Sequence, residues 1–127
     1  MKVPSLLSYA VFLNYLMPVS ALQNYMCLEK TLSGSIIQEE IENRYNEMVQ
    51  TGETSNVNER FGMAQFYIKY KTPSKDYDVT ISVEFTEGKE VATIGATIGD
   101  LWYACKPTNR YENRVTKKGP GSYECDF

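Results

Sequence analysis

The chain contains no histidine. That removes the one side chain that titrates near neutral pH without help. With it go the usual general acid or base, the usual partner of a serine or cysteine nucleophile, and the commonest metal ligand. Basic excess is missing as well. Lys and Arg number 13 against 16 Asp and Glu, a net charge of −3. This excludes a general polyanion binder, whose affinity comes from many phosphate contacts, and leaves room only for a local basic patch. Cysteine is scarce: the three present are too far apart for a metal site and allow only one disulfide at a time. No Asn-x-Ser/Thr triplet occurs, so N-glycosylation is not expected. Gly119-Pro120-Gly121 lacks the Lys-Ser/Thr of a phosphate loop, so neither a cofactor nor a metal is expected. There is no internal repeat and no low-complexity segment.

What is present begins with a leader. Lys2, the mostly apolar run Ser5 to Met17, and Val19-Ser20-Ala21 after Pro18 have the three parts of a secretory signal over residues 1–21. The run is shorter than the roughly 20 apolar residues of a membrane span and carries Ser8 and Asn14, so no stable membrane association is expected after cleavage. The remaining chain, 22–127, is one small domain, and loss of Lys2 takes its net charge from −3 to −4. Export permits a disulfide, and three pairings exist: 27 with 105, 27 with 125, and 105 with 125. The residues favour Cys27 with Cys125, which ties both chain ends and leaves Cys105 as a small hydrophobe in an apolar strand. A surface thiol that dimerises the chain is the alternative for Cys105.

Along the domain, residues 22–32 read as a first strand. Ser35-Ile36-Ile37-Gln38 fits a capping box, and Ile37, Ile41, Tyr45 and Met48 recur at helical spacing, predicting a helix from about Ile36 to Gln50 that Gly52 stops. Glu40 and Arg44 stand four apart as an ion pair. Ala64-Phe66-Ile68-Tyr70 alternate with polar residues, and Tyr77-Val79-Ile81-Val83-Phe85 do so more cleanly, the pattern of two half-buried strands. Residues 91–98 and 101–105 read as two more strands, with Gly95 and Gly99 marking a bulge or a close backbone approach. Residues 107–122 read as a long charged loop before a short last strand. The expected fold is α+β: one helix packed on a four- to five-stranded antiparallel sheet. The face away from the helix should carry Tyr67, Lys69, Lys71, Thr80, Ser82 and Glu84.

A leader followed closely by Tyr25-Met26-Cys27, one helix, a run of strands and a terminal Tyr123-Glu124-Cys125 resembles the ribonuclease-like secreted effectors of powdery-mildew fungi. The resemblance covers the whole domain after the leader. It implies a fold similar to small fungal guanyl-specific ribonucleases and secretion from a fungal pathogen with delivery into the plant host cell. It also implies suppression of host defence by binding host factors, with some members sensed as avirulence proteins by plant intracellular immune receptors. The family's disulfide maps onto Cys27 and Cys125.

The catalytic ribonucleases of that fold use glutamate and histidine as acid and base, with an arginine at the phosphate. Glu84 is the candidate for the base, but nothing here replaces the histidine, so a pseudo-ribonuclease is expected rather than an enzyme. Binding is the more credible task. Tyr67 beside Lys69 and Lys71 offers a ring for a base and cations for phosphates, a candidate face that also includes Glu84. Arg110, Tyr111, Arg114, Lys117 and Lys118 form a candidate binding loop. The expected partner is a host plant protein, an immune receptor among the possibilities, or structured host RNA. An active ribonuclease with an unconventional acid, and an extracellular disulfide-tied binding module, are the alternatives. Folded protein should leave purified RNA uncleaved, whereas cleavage that Glu84→Gln abolishes would establish the enzyme instead.

Overall fold

A computed structural model describes residues 22–53 and 60–126. The leader expected at 1–21, residues 54–59 of the polar loop, and Phe127 lie outside the described residues. In chain order the elements are β1 (Asn24–Cys27), β2 (Lys30–Leu32), helix α1 (Gly34–Thr51), β3 (Gly62–Lys71), β4 (Asp76–Phe85), β5 (Val91–Ile98), β6 (Leu101–Ala104), β7 (Lys106–Thr108), β8 (Thr116–Gly119) and β9 (Ser122–Asp126). They make an α+β fold with one described helix, a six-stranded sheet in the order β6-β5-β4-β3-β9-β8, and a three-stranded sheet β2-β1-β7.

The helix forms where its apolar spacing places it but starts one turn-fraction earlier than the capping box suggests. Ser33, not Ser35, is the N-cap, its Oγ accepting from the Ile36 N–H at 3.3 Å, and Ser35 instead shares a hydrogen bond with Ser33 at 3.0 Å. Gly52, at φ 75°, ends the helix. Ile36, Ile37, Ile41 and Met48 are buried against the sheet residues Ala64, Phe66, Ile68, Val79, Ile81, Val83 and Phe85. Arg44 pairs with Glu47 and, at 3.1 Å, with Glu53 rather than with Glu40. Glu40 is taken by the Tyr123 hydroxyl, which donates to it from β9.

The sheet departs from the expected all-antiparallel arrangement at one junction. β9 runs parallel to β3, with Ile68 opposite Tyr123 and Tyr70 opposite Cys125, while the other ladders are antiparallel. The long charged loop expected at 107–122 also contains two strands, β7 and β8, too short and polar to show a two-residue period. Residues 22–32 are not one strand but a hairpin. Its turn residues Leu28 and Glu29 have φ 49° and 67°, a left-handed conformation that side chains other than glycine and asparagine seldom adopt. In β5, the ladder shifts between Glu84 and Phe85, so Val91 rather than Ala92 packs on the core.

The disulfide joins Cys27 to Cys105, not to Cys125. The register explains the correction. β1 and β7 pair Asn24 with Thr108, Tyr25 with Pro107 and Met26 with Lys106, so the next step along the ladder sets Cys27 opposite Cys105. Their Cα atoms are 4.6 Å apart, the spacing of a directly opposed pair. The C-terminal end needs no bridge, because β9 is held between β3 and β8 by ladder hydrogen bonds, and Cys125 is a free, buried thiol. A closed loop with a sequence separation of 78 removes about 4.5 kcal/mol of unfolded-state entropy in the simple loop treatment. Cys27→Ala and Cys105→Ala should therefore each lower the urea unfolding free energy by about 2–5 kcal/mol, and Cys125→Ala by only about 1 kcal/mol. Equal losses for Cys27→Ala and Cys125→Ala, with Cys105→Ala near wild type, would reinstate the other pairing.

Candidate functional site

The helix covers one face of the six-stranded sheet, and the registers define what the other face displays. One row crosses five strands: Ser122, Tyr67, Thr80, Thr97 and Trp102 are successive ladder partners. Two exposed rings lie in it, Tyr67 at 62 % and Trp102 at 54 % of full exposure. Three strand spacings separate them, roughly 14 Å along the backbone ladder, with two small threonines between. The Trp102 side chain lies over Gly95, where an added Cβ would come within 2.3 Å of the indole. That glycine is the close approach its position in β5 suggests.

One of the two lysines of this face is ion-paired, and the other has acidic residues opposite it in the ladder. Lys69 is directly opposite Asp78 on one side and Glu124 on the other, and Lys71 reaches Glu124 at 3.4 Å. Glu84 shares the face but not the cluster. It stands opposite Met63 and pairs with Arg60, roughly 20 Å along the strands from Lys69. Tyr67, Lys69 and Lys71 are thus brought together, and Glu84 is not.

The candidate loop is split in the same way. Its first part is tied to the edge of β2: Thr31 donates from its N–H to the Asn113 carbonyl at 2.9 Å and from Oγ1 to the Glu112 carbonyl at 2.8 Å, and the Val115 N–H donates to the Thr31 carbonyl at 2.9 Å. Arg110, Tyr111 and Arg114 stay exposed on it, with the Arg114 guanidinium 5.9 Å from the Tyr111 ring centre. Lys117 and Lys118 belong to β8, where Lys117 pairs with Glu39 of the helix and Lys118 reaches Glu124 at 3.6 Å.

A cavity of about 400 Å³ opens at the end of the sheet, on the helix side, lined by Leu28, Glu29, Tyr70, Tyr77, Ile98 and Tyr103 among others. The left-handed turn of the first hairpin forms one wall, and strained backbone of this kind collects where a surface is shaped for contact. Nothing in the pair Leu28-Glu29 announces such a turn, which is why sequence reasoning missed the cavity. Trp102 was missed too, although the Gly95 pairing offered a signal.

Two tyrosines and the third cysteine are buried polar groups near these features. The Tyr70 hydroxyl donates to the Cys27 carbonyl at 2.7 Å, and burial holds that phenol well above its usual range. Burial, then the hydrogen bond to Glu40, does the same for Tyr123. Burial pushes the Cys125 thiol from 9.0 up to about 11, with Lys30 opposing and Asp126 and Glu124 adding to the rise. A raised folded-state value means that the thiol's contribution to stability is full below about pH 9 and lost by about pH 11. Unfolding free energy should accordingly fall more steeply across that window in the wild-type protein than in Cys125→Ala. Identical slopes would show that Cys125 ionises as freely in the folded chain as in the unfolded one.

No family model matches the chain, and no curated protein or solved structure matches it.

Proposed function

We propose that the chain is a secreted effector of the powdery-mildew type, a ribonuclease-like scaffold without catalysis that acts in a plant host by binding a host protein. The Tyr-x-Cys element close behind a leader, the one described helix on one sheet face and the absence of histidine support the type. The observation that carries the binding reading is the uncovered row from Tyr67 to Trp102. Exposed aromatic rings separated by small hydroxyl side chains give large contact area at low entropic cost, as protein-binding surfaces do. The cavity walled by Tyr77 and Tyr103 lies on the opposite, helix-side face and is no part of this surface.

RNA is the second reading, favoured by Tyr67 beside Lys69 and Lys71. The ion pair of Lys71 with Glu124 and the acidic Asp78 and Glu124 opposite Lys69 weigh against it, because negative charge so close reduces the attraction for phosphate. Catalysis draws no support from Glu84, whose carboxylate is held by Arg60. A host intracellular immune receptor that recognises the chain would, on this reading, contact the same aromatic row.

Recovery of partners from plant extract on immobilised protein, with and without ribonuclease treatment, separates the readings. The proposal expects a protein partner that survives ribonuclease, is lost with Tyr67→Ala and Trp102→Ala, and is retained with Glu47→Ala on the exposed surface of the helix. Ribonuclease-sensitive recovery would move the assignment to RNA, and recovery indifferent to both ring deletions would remove the sheet face from it.

A further inference from the structure

The cavity at the helix-side end of the six-stranded sheet, about 400 Å³, falls in the size range of small-molecule sites. Three tyrosines line it, Tyr70 from β3, Tyr77 from β4 and Tyr103 from β6, and Leu28 and Ile98 add to its apolar wall. Among the described residues no lysine or arginine lines it. Its one charged side chain is Glu29, exposed and without an ion pair among the described residues. The walls are tied together before any ligand arrives. The Cys27–Cys105 bridge lies directly before the Leu28-Glu29 turn and two residues after Tyr103, and the Tyr70 hydroxyl donates to the Cys27 carbonyl at 2.7 Å. A site held in this way loses little freedom on binding.

The polar groups of the lining select the ligand. The Tyr70 hydroxyl proton is spent on Cys27, and the hydroxyls of Thr72 and Ser74 serve their own turn: they share a hydrogen bond at 3.2 Å, and Thr72 Oγ1 accepts from the Lys75 N–H at 3.0 Å. An anion entering here would meet Glu29 and no cation of the lining. A primary ammonium would bring three donors to a wall with few free acceptors. A methylated ammonium has no such need, because its charge is carried on apolar methyl groups, ring faces attract it through their quadrupole, and a nearby carboxylate adds to the attraction. The Tyr77 ring already holds a cation, the Lys75 ammonium, 4.7 Å from its centre. Lys75 is exposed and lies outside the lining, so its long side chain can give way. We propose that the cavity is a binding site for a methylated ammonium group, set against Tyr77 and Tyr103 with Glu29 as its counter-charge. Two sources share that chemistry, a free small molecule such as choline and a trimethylated lysine of a peptide. The site is on the other side of the sheet from the row of Tyr67 and Trp102, and it stands whatever that row binds.

Titration of the purified chain with choline, followed through backbone amide shifts by two-dimensional NMR, reads the site directly. Shifts should move at Glu29, Tyr77 and Tyr103 with a dissociation constant on the order of 1 mM. The uncharged analogue of choline, in which a tert-butyl group replaces trimethylammonium, has nearly the same shape and should bind about tenfold more weakly. Glu29→Gln should weaken choline about fivefold and Tyr103→Leu about tenfold, whereas Lys75→Met, which removes the competing cation, should tighten it about threefold. Both Glu29 and Tyr103 are exposed, and unchanged far-ultraviolet circular dichroism shows that the variants fold. A trimethyl-lysine peptide bound about tenfold tighter than choline would place the cation on a protein, and equal affinity would make it the free small molecule; either result upholds the site. No shift at about 50 mM choline would overturn the proposal. So would equal binding of the uncharged analogue, a peptide with unmodified lysine binding as tightly as the trimethylated one, or affinity unmoved by both Glu29→Gln and Tyr103→Leu.

Discussion

The bridge between Cys27 and Cys105 is the constraint on which the remaining architecture hangs. It fastens the end of the first strand to the point where the chain leaves the large sheet for the small one. With β1 fixed there, β2 is fixed beside it, and the buried Thr31 of β2 holds residues 112–115 through three hydrogen bonds. That anchored segment delivers the chain to β8 and then to β9, the parallel strand that closes the sheet against β3. Tyr70 adds a second tie, from β3 of the six-stranded sheet to the Cys27 carbonyl. A small domain has limited core to spend on ordering its ends, and one covalent link near its least regular region substitutes for what burial does not supply.

The sequence was legible where side-chain periodicity was strong. Ile37, Ile41 and Met48 on the helix and the alternation through β3 and β4 set the core, and those elements stand where the pattern puts them. Legibility failed where structure is set by partners far along the chain. β7 and β8, with Lys-Pro-Thr and Thr-Lys-Lys-Gly, bury almost nothing, so their apolar pattern is silent and their ladders come from register alone. The first hairpin turns on Leu28-Glu29, a pair without the asparagine or glycine that marks such turns. The disulfide went astray for the same reason: chain ends invite a bridge between them, but β7 brings Cys105, not Cys125, opposite Cys27. At the site, Tyr67, Lys69 and Lys71 could be placed together because they share one strand. Glu84 could not be placed, because its distance from them depends on the β3–β4 register, and Trp102 joins Tyr67 only through two further ladders.

The sheet pairs several of its own charges: Lys71 with Glu124, Glu84 with Arg60, Lys117 with Glu39. Exposed beside them are aromatic rings, Tyr67 and Trp102 on the open face and Tyr103 beside the cavity. A surface that exposes rings among paired charges is better matched to another protein surface than to a phosphate backbone. On the proposed reading, a scaffold of ribonuclease type has kept its shape and given its face to recognition.

All of this assumes the first strand is fastened where the register puts it. Peptide mapping of unreduced protein, digested at low pH with free thiols blocked beforehand, tests that assumption most directly. One linked species joining the Cys27 and Cys105 peptides is expected, with Cys125 recovered as a thiol that reacts only after unfolding. A link between the Cys27 and Cys125 peptides, with Cys105 free, would contradict it.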